Sequence, residues 1–175
     1  MIRAFALGLI TALLLAAPPA AASEFDQDFV AGMELHGKVD YVFDGDTIRI
    51  GPARIRLFGI DAPELATPAG PMAREVMKQL VEGMPVSCML TGDRSYDRYV
   101  AVCFLGDSVV DIGWFMVREG LAVDDRFFSG GVYLGAERDA RIHGRGIWAN
   151  GLKSPHSRSV TNAEPGRGIS YPLRR

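Results

Sequence analysis

The sequence predicts an α+β, mostly β fold: a five-stranded barrel carrying three helices. Three observations point there. Short extended runs at 38–43, 47–50, 53–60, 85–90 and 100–105 are bounded by Gly, Pro and Asp turn chemistry. Longer stretches at 71–82, 111–119 and 132–142 carry apolar residues at helical spacing. The order is three strands, helix, two strands, helix, helix, and a closed barrel is the natural end of such a meander.

The first strand, 38–43, alternates and runs into Asp44-Gly45-Asp46, a turn, before 47–50 resumes. Gly51-Pro52 turns the chain again. Along 53–60 the period of two sets Arg54 and Arg56 on one face and Ile55 and Leu57 on the other. Pro71 suits a first helical turn, and Met72, Val76, Met77, Leu80 and Val81 mark an apolar stripe. The runs 85–90 and 100–105 read as a hairpin across 91–98. Ile112, Phe115 and Met116 face inward on the second helix, which Gly120 stops. Trp114 and Trp148 are expected to anchor the core. His36, His143 and His156 show no pattern and are read as surface or structural residues.

The flanks read differently. Met1-Ile2-Arg3, an apolar run over 4–17 and Ala20-Ala21-Ala22 describe a signal peptide over 1–22, cleaved after Ala22. The run is shorter than a membrane span. A secreted or periplasmic protein is therefore expected, with a loose leader at 23–36, the domain at 37–158 and a disordered tail at 159–175. An oxidising compartment would join Cys88 and Cys103, the two cysteines, which face each other across the hairpin. Such a loop of about 15 residues is worth roughly 3 kcal/mol.

Charge narrows the function classes. The 175 residues carry 19 basic and 21 acidic side chains, net -2, so the totals lack the footprint of a strong non-specific nucleic-acid binder. The cations are mostly Arg, with Lys at 38, 78 and 153 alone. Genome base bias is the plain explanation of that excess.

Chemistry concentrates in Asp44-Gly45-Asp46-Thr47, in the stretch from Arg56 through Asp61-Ala62-Pro63-Glu64, and in Tyr96-Asp97-Arg98. Singly, each has an ordinary reading as a turn, a helix cap or a hairpin tip. Together they supply what phosphoryl chemistry needs. Asp46, Asp61 and a nearby backbone carbonyl are hard oxygen donors suited to Ca²⁺ or Mg²⁺. Arg56 and Arg98 are guanidinium forks for phosphate oxygens. Glu64 is free to position or deprotonate a water.

These motifs, with Arg118-Glu119-Gly120-Leu121-Ala122, Glu137-x-x-Ala140 and Gly146-Ile147-Trp148, resemble the staphylococcal-nuclease-like (thermonuclease) family over about residues 37–158. The resemblance implies an OB-like barrel and Ca²⁺-dependent hydrolysis of DNA or RNA at the bond to the 5′ oxygen. It implies catalytic roles for Arg56, Glu64 and Arg98. It implies metal roles for Asp46, Asp61 and the Ala62 carbonyl, and substrate contacts for Tyr96 and Phe128. A monomer acting on nucleic acid is expected. The alternative is a weakly active or non-catalytic binding module on the same fold, linked to envelope polysaccharide production.

Two departures stand out. The family's hairpin motif is Asp-x-Tyr-Gly-Arg, and here Arg94-Ser95-Tyr96-Asp97-Arg98 replaces its acid and its glycine. Asp97 is expected to take up the positive φ of that glycine and to pair with Arg98 or repel phosphate. After Gly120-Leu121-Ala122, Asp124 and Asp125 precede Phe127 and Phe128, and the two acids are expected to repel a phosphate backbone.

Overall fold

The computed structural model describes residues 31–149. The expected signal peptide at 1–22, the tail at 159–175 and His156 lie outside the described residues. Among the described residues no helix is long and apolar enough to cross a membrane.

The sheet starts earlier than expected. β1 (Glu34–Lys38) opens inside the stretch read as leader and pairs antiparallel with β6 (Pro85–Ser95). β2 (Tyr41–Val42) follows after two residues and pairs instead with β3 (Thr47–Ile50). Antiparallel β4 (Ala53–Leu57) comes next, and β7 (Arg98–Leu105) lies parallel to β4 and antiparallel to β6. The order is β1-β6-β7-β4-β3-β2. Its two end strands are consecutive in the chain, so the sheet closes on itself. The six strands are thus the expected five, with the first broken at Val39–Asp40 so that its halves serve opposite edges.

β5 (Ile60–Asp61) pairs with β8 (Val123–Asp124) as a separate two-stranded ribbon. α1 (Gly70–Val81) buries Ala73, Met77 and Val81 on the barrel, while Met72, assigned to the stripe, is exposed. α2 (Ile112–Arg118) is capped by the Asp111 carboxylate, which accepts from the Gly113 and Trp114 amides at 2.8 and 3.3 Å. The helix expected at 132–142 is α4 (Leu134–Ile142), and a short additional helix, α3 (Arg126–Ser129), precedes it, divided from it by Gly130-Gly131, both at positive φ. A 3-10 turn (Gly146–Trp148) ends the described chain. Trp148 is buried as expected. Trp114 is 40% exposed and stacks on Arg118, because its position on α2 points away from the barrel.

The core runs through Ile48, Ile55, Leu57, Met77, Ala101 and Met116. Within it Cys88 and Cys103 are direct cross-strand partners, joined as a disulfide and wholly buried. The expected eight-residue hairpin loop is shorter: pairing resumes past a bulge and leaves Tyr96 and Asp97 as the turn. The polar Arg94 and Ser95 still pair, with Tyr99 and Arg98, because the ladder uses backbone groups.

Candidate active site

The site forms where β3, β4 and β5 end together. Register sets Thr47 of β3 opposite Arg56 of β4 and Arg56 opposite Val100 of β7. The Asp44–Asp46 turn is drawn against the barrel by Gly45, where a Cβ would come within 2.7 Å of the Ala62 Cβ and 3.0 Å of the Ala73 Cβ. The Asp46 amide donates to the Asp44 carboxylate at 3.0 Å.

Asp46 is 2% exposed. Its Oδ1 pairs with the Arg56 guanidinium and accepts the Thr47 hydroxyl at 3.0 Å, and its Oδ2 accepts the Ala62 amide at 2.9 Å. Arg56 also donates to the Ile60 carbonyl at 2.9 Å and to Asp61 Oδ1 at 3.4 Å. The second arginine joins through Thr47. Arg98 donates to the Thr47 hydroxyl at 3.2 Å, to the Ser95 hydroxyl at 2.8 Å and to the Ser95 carbonyl at 3.2 Å. Thr47 accepts from Arg98 and donates to Asp46, so one hydroxyl ties the two halves.

Burial pushes the Asp46 carboxyl up to about 7, against the lowering pull of Arg56, and the Asp44 charge adds to the rise. For Arg56, burial works to lower the guanidinium, but Asp46 and then Asp61 raise it, and it stays charged. Asp44, Asp46 and Asp61 thus act on one guanidinium, leaving an excess of hard-oxygen negative charge. That donor chemistry fits a hard divalent cation, with water, backbone carbonyl or phosphate oxygens completing the shell. Among the described residues no three His, Cys, Asp or Glu side chains could hold a metal by themselves.

The other sequence-derived candidates stand outside this cluster. Glu64 is exposed, and its carboxylate makes no hydrogen bond or ion pair with a described residue. Its backbone is fixed: the Glu64 carbonyl accepts the Thr67 amide at 2.8 Å and hydroxyl at 2.7 Å. Gly70 packs so closely that a Cβ there would lie 2.1 Å from that carbonyl. Tyr96 is 91% exposed at the hairpin tip, 6.0 Å from the Arg98 guanidinium carbon to the ring centroid. Phe128 sits on α3, 61% exposed and edge-on to Phe127, beside the ribbon that carries Asp61.

Two expectations about the departures are corrected. Tyr96, not Asp97, takes the left-handed conformation, at φ 59°, and the Asp97 carboxylate pairs with Arg54 at 2.7 Å. Arg54 is level with Arg98 on the neighbouring strand and its side chain reaches the acid first. Nor do both acids of β8–α3 face a substrate. Asp124 is buried, accepts the Ser129 hydroxyl at 2.5 Å, and its amide donates to Glu137 at 2.8 Å. Sequence reasoning gave no role to Thr47 or Asp44, although both lie inside the first motif. Thr47 was findable: as the residue cross-strand from Arg56, it had to face the site.

A closed barrel with three acids, one of them buried, around an arginine, and a second arginine on the neighbouring strand, defines a mostly β protein of OB-like fold. A family model described as "Staphylococcal nuclease homologue" matches residues 54–150, more than half of the chain, and the chain belongs to that family. It is 34% identical over 122 residues to an "Uncharacterized endonuclease" of Escherichia coli O157:H7, covering 67% of this chain and 79% of that protein. It is 30% identical over 118 residues to the "Succinoglycan biosynthesis protein ExoI" of Rhizobium meliloti (strain 1021), covering 61% of each. The "Probable staphylococcal-like nuclease CAN2" of Oryza sativa subsp. japonica is 31% identical over 99 residues, covering 56% of this chain and 26% of that one.

Proposed function

We propose that this protein is a Ca²⁺-dependent nuclease that hydrolyses phosphodiester bonds of DNA or RNA. The observation that carries the reading is the Asp46–Arg56–Asp61 cluster joined through Thr47 to Arg98. A nuclease is also what the names of two of its relatives describe.

In this reading Arg56 and Arg98 donate N–H bonds to the non-bridging phosphate oxygens, where charge builds as the bond breaks. Their anchors fix the direction of each fork before substrate arrives, so little reorganisation is left for the reaction. Glu64, held by its backbone and open to solvent, takes a proton from the attacking water as its oxygen bonds to phosphorus; the bond to the 5′ oxygen breaks, that oxygen takes up a proton from solvent, and Glu64 returns its own to bulk. Asp46, Asp61 and the Ala62 carbonyl hold the cation. Bound Ca²⁺ supplies positive charge at the phosphate beyond that of the arginines. Tyr96 and Phe128 offer exposed rings to sugar and base. The reading includes export through residues 1–22 and action as a monomer.

The test is purified protein with single-stranded DNA and with RNA, in Ca²⁺ and in chelator. Cleavage that needs the cation is expected; no cleavage at high enzyme concentration overturns the reading. A second reading, a weakly active or non-catalytic module serving envelope polysaccharide production, is favoured by the likeness to the succinoglycan biosynthesis protein. Loss of surface polysaccharide on deletion, restored by a Glu64→Gln copy, would select it.

A further inference from the structure

The site is one end of a longer row. Alternation along β2, β3 and β4 turns Val42, Ile48 and Ile55 into the core and leaves Tyr41, Arg49 and Arg54 on the opposite face. Register pairs Tyr41 with Arg49 and Arg49 with Arg54, and the parallel β4–β7 ladder sets Arg54 level with Arg98. Arg98, Arg54 and Arg49 therefore cross three adjacent strands. Two strand spacings make that row about 10 Å long.

The row is ordered by rings. The Arg49 guanidinium lies 5.4 Å from the Tyr41 centroid, and that of Arg54 lies 4.3 Å from Phe43. Arg74 of α1 covers Tyr41 at 5.6 Å and donates to the Tyr41 hydroxyl and the Val42 carbonyl, each at 3.1 Å. Among the described residues Asp97 is the one carboxylate ion-paired with these three arginines, through Arg54. A stacked guanidinium keeps its N–H edge for an oxyanion, and stacking reduces the entropy lost when the oxyanion binds. On a chain of net charge -2 this is a local concentration of cations. A nucleic-acid strand rises about 3.4 Å per nucleotide when stacked. A strand held at Arg98 thus reaches its neighbouring phosphates along the row.

We infer that Arg49 and Arg54, backed by Tyr41 and Phe43, form a second phosphate-binding segment. It grips a single-stranded substrate one or more nucleotides from the bond held at Arg56 and Arg98. This rests on the nuclease reading, and the experiment separates the two. Wild type, Arg49→Gln and Arg49→Gln/Arg54→Gln are compared on a thymidine dinucleotide and a twelve-residue oligothymidylate. Steady-state rates are taken in Ca²⁺, and dissociation constants in chelator. On the long substrate KM should rise about fivefold per arginine at low salt with kcat unchanged, and the salt slope should fall by about one per arginine. The dinucleotide should be unaffected.

Equal KM changes on both substrates, or none on the long one, would overturn the inference. If wild type cleaves nothing, the nuclease reading fails, but a length-dependent loss of binding in chelator still supports the row. An equal loss of affinity for polygalacturonate would assign the row to polyanions at large and overturn its assignment to phosphates.

Discussion

At the ends of β3, β4 and β5 almost every polar side chain is fixed by another. Asp46 is held from three sides, and Arg56 and Arg98 by two or more partners each. At the β6–β7 tip and on α3 the reverse holds: Tyr96 and Phe128 are 91% and 61% exposed and have no polar anchor among the described residues. The difference separates two tasks. Groups that meet developing charge lose rate if they move, so the fold locks them. Groups that lie against bases can tolerate variation because any base offers a face. The departures from the family's pattern at residues 94 and 97 lie on the hairpin that carries Tyr96, while that at Asp124 is buried on β8 and held by Ser129 and Glu137.

Removing Arg56 should have the largest effect. Arg56→Ala strips the buried Asp46 of its ion pair and should cost about 3 kcal/mol of stability and about 10³-fold in rate; calorimetry and initial rates measure the two. A variant that keeps full stability would mean the locked region is not locked by this pair. Glu64→Gln should split these effects, losing about 10²–10⁴ in rate while unfolding within about 0.5 kcal/mol of wild type. An active Glu64→Gln enzyme removes Glu64 from its role.

On the exposed side, Phe128→Ala should raise KM about tenfold on an oligonucleotide with kcat kept, one stacked base being worth roughly 1–3 kcal/mol. A kcat defect instead would tie α3 to the chemistry. Asp97→Gly should matter less. It frees Arg54 rather than Arg98, so the rate on long substrates should rise about two- to fivefold at low salt, and the gain should shrink as salt screens it. A variant slower at every salt would show that Asp97 helps to hold the turn.

The smallest effect concerns Asp124, whose carboxyl burial raises above its ordinary range. The folded state then binds this proton more tightly than the unfolded state, so the contribution to stability is full below the unfolded value near 3.8 and is lost as pH rises through the folded one. Stability of wild type minus that of Asp124→Asn should therefore fall as pH rises from acid toward neutral. A difference flat with pH would mean the buried acid is not penalised.

The barrel and the acid–arginine cluster were legible because both follow from strand alternation, which fixes the face of Arg54, Arg56 and Thr47 before any contact is known. The break of the first strand at Val39–Asp40 was not legible, since nothing local says which edge each half will pair with. α3 carries too few residues for a helical stripe, and Met72 and Trp114 are apolar residues that tertiary packing left outside. The partner of Asp97 was missed because reading along the chain finds Arg98, while Arg54 is near only through the β4–β7 ladder. Such parallel pairing leaves no hairpin signal in the sequence.

That ladder also governs when the protein becomes competent. Arg56 and Arg98 meet across β4 and β7, with α1 and β6 synthesised between them. A nascent chain that has emerged as far as β5 owns Arg56 of the two site arginines, with Asp44, Asp46 and Asp61, and no Thr47–Arg98 link. Non-local parallel closure is a slow step of folding, so the assembled pair arises only with the finished barrel. Any activity the chain has therefore waits for β7 to be made and to pair with β4.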